Sequence, residues 1–296
     1  SMRYRGVWRR RSQAGAPGML WCMPADVGPV LLLVAAASVV LGTVLQRVSG
    51  MGVGLVVSPT LALLLGPVAG VLLTNITTTV SAALIAITLW RDIDWRRYVS
   101  LAPLIVVGSV PGALLVGAAD RSWLEVVIGA ALLGTLVFTA LVRIPQVGGR
   151  WPAAVAGTAG GFLNTAVGVA APAMLVYAQA TGWNQRSFAA TLQPIFFTMG
   201  ATSVITKVGL GAAPISGLPP IGVIGLVVAM VPIGILRGGM GATRVSATVG
   251  RRVAVVVVTL GALTLLGRGI GGLISPIPQR VIPFSPQGGR RCPKGG

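Results

Sequence analysis

The sequence predicts an all-α fold: a polytopic transmembrane helical bundle of two repeats, inverted relative to each other, with broken or re-entrant helices. Three observations predict it. No Asp, Glu, Lys or Arg lies between Arg47 and Arg91, from Tyr98 to Ala119, from Trp151 to Gln185 or from Val208 to Leu236. A helical crossing takes about 20 apolar residues, so the first gap is long enough for two. Of the 296 residues, 54% are hydrophobic and 9% charged, with a mean hydropathy of +0.87. That is too little charge for the exterior of a soluble domain this size. Finally, a shift of 116 or 117 positions places Gly52 on Gly168, Thr74 on Thr191, Arg91 on Lys207, Pro103 on Pro219 and Gly117 on Gly234.

The elements follow in order. A basic N-terminal tail, 1–27, holds Arg3, Arg5, Arg9, Arg10 and Arg11. The first transmembrane repeat, 28–142, contains apolar segments at 28–47, 50–66, 68–90, 99–119 and 123–142. Its opening run is too long for a usual signal-peptide core and reads as mature protein. A loop at 143–151 carries Arg143 and Arg150. The second repeat, 152–271, contains 152–166, 168–181, 187–207, 219–236 and 252–271, and a flexible basic tail closes the chain over 272–296. Segments 50–66, 152–166 and 168–181 are short and glycine-rich, which fits steep crossings, half-helices or re-entrant hairpins. Each half then reads as a short-segment pair followed by three full crossings. If each pair returns to its starting side, the halves are inverted. In that plan Arg91, Arg96, Arg97, Arg143, Arg150, Arg186, Arg237, Arg244, Arg251 and Arg252 share one side, and Arg121 and Lys207 lie on the other. The positive-inside rule makes the arginine-rich side cytoplasmic, although both basic tails would then lie outside.

A formal net charge of +18 invites a nucleic-acid partner. The basic residues lie in tails and short gaps instead of one folded surface, so they read as topology signals and contacts to anionic lipid. There is no histidine, and Cys22 and Cys292 sit near opposite ends, in no metal-ligand spacing. No catalytic set, metal cluster or nucleotide loop is legible, so the chain reads as a non-enzyme without cofactor or metal.

The sharpest motif is Gly50-Met51-Gly52-Val53-Gly54, followed by Ser58-Pro59. Alternating glycines weaken a helix and permit unusual backbone angles. Ser58 is expected to cap a new half-helix with Pro59 at its first position. The second half echoes this with Asn164-Thr165-Ala166-Val167-Gly168 and Ala171-Pro172. Paired breaks point to a transporter site, and half-helix N-termini suit an anion. The plainer alternative is that the glycines serve close helix packing. Polar clusters follow each break: Thr74 to Thr79 with Ser81, then Thr191, Gln193, Thr198, Thr202 and Ser203. Amides are costly in lipid unless they meet protein or a wet cavity, whereas hydroxyls bond back to their own helix. The candidate substrate-binding residues are Gly52, Gly54, Ser58, Thr74, Asn75, Asn164, Thr165, Gly168 and Gln193. The five acids, Asp26, Asp92, Asp94, Asp120 and Glu125, fall at or near segment ends. An interior without carboxylates favours an anion over a cation.

Gly50-x-Gly52-x-Gly54 with Pro59, Asp94-Trp95-Arg96, and the run from Pro103 to Gly117 resemble the sulfite exporter TauE/SafE family of membrane permeases, and Gly168 to Pro172 sits where that family repeats its motif. The resemblance covers about 28–271, and Val53 and Ala170-Ala171 stand where the family often has glycine. It implies a permease for sulfite, sulfonates or related small sulfur-containing or organic anions. The expectation is therefore a multi-pass cell-membrane protein that moves a small anion by secondary transport. Its partners are that anion and membrane lipid, with no nucleic acid, and a homo-oligomer is compatible with the plan. The alternative is a non-transporting membrane scaffold or assembly factor. Leucine favours helix over glycine by under about 1 kcal/mol, so Gly52→Leu and Gly168→Leu are expected to block transport in a folded protein.

Overall fold

The computed structural model describes residues 27–141, 145–147, 149–213, 221–241 and 247–274. Cys22, Cys292, Asp26, Arg143, Pro219, Arg244 and nearly all of both tails lie outside these residues. Ten α-helices and one short 3-10 turn make up the described architecture, with no strand among the described residues. The helices are α1 Val27–Ser49, α2 Val53–Leu65, α3 Pro67–Thr88, α4 Trp95–Ala118, α5 Arg121–Leu141, α6 Trp151–Val167, α7 Ala171–Ala180, α8 Gln185–Gly209, α9 Ile221–Gly241 and α10 Ala247–Ile274.

Local sequence explains their starts. Pro67 opens α3 behind Gly66, and Pro152 and Pro172 sit in the first turns of α6 and α7, where a missing N–H costs no bond. Asp94 accepts from the Arg97 N–H to cap α4, and Asn184 accepts from the Arg186 and Ser187 N–H groups to cap α8. Seven of the helices are long and apolar enough to cross a membrane. Helices α2 and α7, with 13 and 10 residues, are about 20 and 15 Å long, short of a hydrocarbon core about 30 Å thick.

Leu33, Ile87, Val107, Leu114, Ile205 and Leu260 face outward, as lipid contact requires. Exposed Trp90, Trp95, Trp123 and Trp151 mark helix ends at interface depth. The protein is an integral membrane protein. At one end Arg47 donates to Thr88, Arg97 to Thr181 and Arg186 to Asp92. At the opposite end Arg121 and Arg268 both meet Glu125, tying α5 to α10.

The packing respects two halves. Exchanging α1–α5 for α6–α10 converts the α4–α6 contact into α9–α1, and it returns the α3–α8 and α5–α10 contacts to themselves. The register differs from the expected shift: Ser49 and Val167, Val53 and Ala171, and Pro67 and Gln185 are each 118 positions apart. Gly168 is therefore matched by Gly50, not Gly52. Two further expectations are corrected. Ser58 and Pro59 lie inside α2, which starts at Val53 because the glycine turn is complete by Gly52. Lys207 is not a loop charge: it is fully buried in the last turn of α8.

Candidate functional site

The site grows from two turns. Gly50 ends α1 at φ 81° and Gly168 ends α6 at φ 79°, a left-handed region where a Cβ is penalised. Each glycine N–H returns to the carbonyl four residues back, Gly50 to Gln46 and Gly168 to Asn164, both at 2.9 Å. The chain then restarts as a short helix, α2 or α7, pointing away from the turn.

The two turns interlock. A Cβ on Gly54 would fall 2.5 Å from the Gly168 carbonyl oxygen, so only glycine admits this approach. Ser58 Oγ donates to the Val167 carbonyl at 2.5 Å and so satisfies an end of α6 from inside α2. Gly52 is held for another reason: its Cβ would lie 2.7 Å from Gln46 N and the Gly42 carbonyl, against α1.

Four buried amides surround the turns. Gln46 Nε2 donates to Gln193 Oε1 at 2.8 Å, and Asn164 Nδ2 donates to Asn75 Oδ1 at 3.0 Å. These are one interaction seen twice, because Gln46 and Asn164, and Asn75 and Gln193, are again 118 positions apart. Gln193 Nε2 also donates to the Gly50 carbonyl at 3.2 Å, and Asn75 Nδ2 donates to Ser203 Oγ at 2.7 Å. Ser81 Oγ donates to Gln46 Oε1 at 3.0 Å. Each amide ties a break to the central α3–α8 pair, and every one of them is buried.

Between the turns lies a cavity of about 20 Å3, lined by Gln46, Met51, Gly52, Val53, Gly54, Leu55, Thr78, Asn164, Phe196 and the stretch from Gly168 to Ala171. The lining includes the first turn of α2 and the start of α7. First-turn N–H groups have no intrahelical acceptor and carry partial positive charge. Two helix N-termini thus meet one space that no charged side chain lines. The space exceeds the roughly 10–15 Å3 needed for one water and holds little more, so an oxyanion enters only if it widens.

Of the predicted residues, Gly52, Gly54, Asn164 and Gly168 line the cavity. Asn75 and Gln193 sit one bond behind it, on Asn164 and Gln46. Ser58 acts on the turn and not on the space. Thr74 bonds back to Gly70 of its own helix, and Thr165 is buried away from the lining with its hydroxyl unpartnered. Gln46 and Phe196 were missed. The 118-residue register would have found Gln46 opposite Asn164, whereas Phe196 carries no sequence signal.

The family model described as Sulfite exporter TauE/SafE matches residues 34–265, most of the chain and all of the site. The chain belongs to the sulfite exporter TauE/SafE family. No curated protein and no solved structure matches it significantly. Membership in the TauE/SafE family implies a membrane transporter of sulfur anions, and it gives the paired breaks their context. As a TauE/SafE member, the chain places a cavity free of carboxylates where its halves meet.

Proposed function

We propose that the chain is a secondary permease that moves sulfite or a short sulfonate across the cytoplasmic membrane, and that the anion binds between the two glycine turns. The observation that carries this reading is the convergence of the α2 and α7 N-termini on one space without charged lining. Such a site offers N–H donors and positive dipole ends to an anion, and no carboxylate to a cation. The buried amides add neutral donors, with Asn164 and Gln46 on the lining. Because the space holds about one water, transport needs an alternation that widens it, in which the halves rock about the turns. The exchangeable packing of α1–α5 and α6–α10 fits an inverted repeat that alternates access in this way. The clustering of Arg47, Arg97 and Arg186 at one end favours a cytoplasmic placement of that end.

Proteoliposomes test the reading. Purified protein should give saturable flux of sulfite or a short sulfonate, and none of amines or metal cations. Flux of cations with no response to any anion would overturn it. Absence of all flux from a folded protein would favour a membrane scaffold.

A further inference from the structure

Lys207 is the one described side chain that pairs full burial with a charged terminus and no partner. It is 0% exposed, and its Nζ has no hydrogen-bond acceptor. A lysine amine brings N–H donors and, when protonated, a charge, and leaving these unmet in a buried site is costly. No described carboxylate compensates it. Among the described residues, Asp92 pairs with Arg186, Asp94 with Arg97, and Glu125 with Arg121 and Arg268. Asp120 is exposed and forms no ion pair.

Its position gives this charge a meaning. Gln193, Gly200, Ser203 and Lys207 recur at helical spacing on α8, and all but the glycine are buried polar residues. Gln193 bonds Gln46 on the cavity lining, and Ser203 accepts from Asn75, which accepts from Asn164 on the same lining. Lys207 stands one turn beyond Ser203, roughly 5–6 Å further along that face. It lies toward the end of the molecule opposite the arginine cluster, because α8 starts at that cluster with Arg186 and runs away from it.

We propose that Lys207 is the counter-charge for the transported anion at a second station on α8, one turn beyond Ser203 on the side away from the cavity. This rests on the permease reading above. The neutral donors of the cavity would hold the anion first, and the ammonium would draw it toward the far side. The competing role is structural: a last-turn lysine that favours the α8 dipole and nothing else.

Lys207→Met, Lys207→Arg and the wild type, in detergent and in proteoliposomes, separate these. The wild type should carry sulfite, and sulfite should raise its thermal unfolding midpoint. Lys207→Met should lose at least about ten-fold in flux at low sulfite and lose the sulfite-induced shift. Its own midpoint without sulfite should match or exceed the wild type, because an uncompensated buried charge has been removed. Lys207→Arg should keep part of both signals. Wild-type flux in Lys207→Met would overturn the second station and leave the permease reading standing. A methionine variant that fails to fold, or unfolds at a lower midpoint, would assign the lysine a structural role and overturn the proposal. A wild type that carries no anion would overturn the permease reading and the second station with it.

Discussion

The α1–α2 and α6–α7 hairpins make the same turn with different support. Both turn at a glycine of nearly equal φ, both return its N–H to a residue bearing a buried amide, and both send that amide to the α3–α8 pair. After the turn they diverge. Helix α2 packs on α1, α3 and α10, whereas α7 packs on α6 and, through Met174, Tyr177 and Ala178, joins a side-chain cluster with Phe188, Leu192 and Met199 of α8. Beside α7 lies an open apolar cleft of about 390 Å3 between α5, α6 and α7, with Phe138, Leu163 and Tyr177 in its wall. The polar chemistry of the two turns is therefore duplicated while their bracing is not. The space between the turns must widen for an anion to enter, and α7, which borders the larger apolar cleft, is the arm with room to yield.

The interlock between the hairpins gives the largest expected effect. Gly54→Ala places a Cβ against the Gly168 carbonyl, a backbone atom that cannot swing away. Overpacking of this kind costs about 1–3 kcal/mol, so the unfolding midpoint should fall and flux should be lost. Gly168→Ala adds left-handed strain of about 1–2 kcal/mol to a contact with Ser58. Gly50→Ala, with the same φ and a contact to Ala189, should match it. Gly225→Ala in α9 meets nothing within 4 Å and serves as the control. Thermal unfolding followed by size exclusion reads all four, and a stable Gly54→Ala would break the interlock. The same geometry corrects the expectation that Gly52→Leu and Gly168→Leu stay folded. Helix propensity was the wrong scale, because backbone contacts set the cost.

The amide pairs should give a smaller effect. Gln46→Ala and Asn164→Ala each remove one interhelical bond, worth about 0.6 and at most about 1.7 kcal/mol in a membrane protein. Each should lower stability by that much while the protein stays folded, and weaken sulfite affinity because Gln46 and Asn164 line the space between the turns. Double-mutant cycles on Gln46 with Gln193 and on Asn164 with Asn75 should return similar coupling energies if the two halves act alike. Coupling in one pair and none in the other would show that the duplication is geometric only.

Much of this was legible in the sequence, for physical reasons. Charge-free runs gave the crossings because hydrocarbon excludes charge, and the glycine runs gave both turns because φ near 80° selects glycine. Asn75, Asn164 and Gln193 stood out because an amide in lipid needs a partner. What was lost depends on register and depth. Ser58-Pro59 looks like a helix start, but the turn had ended five residues earlier at Val53, and a proline inside a membrane helix is tolerated. The match of Gly52 to Gly168 hid Gln46, since a two-residue error in a repeat moves every partner to another helix face. Lys207 was assigned to a loop because lysines near apolar ends usually snorkel to water. Its burial follows from neighbours that a linear reading does not contain.

The smallest expected effect tests the bracing itself. If α7 is the yielding arm, its backbone amides should exchange with deuterium faster than those of α2 in the detergent-solubilised protein. The comparison is fair because both are short helices that follow a glycine turn, and neither is a full crossing. Exchange reports the free energy of local opening, and each ten-fold in rate corresponds to about 1.4 kcal/mol. The unfilled space beside α7 should lower its opening cost by at least that much, so peptides covering 173–180 should exchange about ten-fold faster than those covering 55–65. A bulky residue at Ala159, which faces the apolar cleft, should narrow the gap by filling the space beside α7. Such a variant should also slow flux if opening of this arm limits transport. Equal protection of the two helices, or faster exchange in α2, would move the hinge to the first hairpin and leave the larger cleft without a mechanical role.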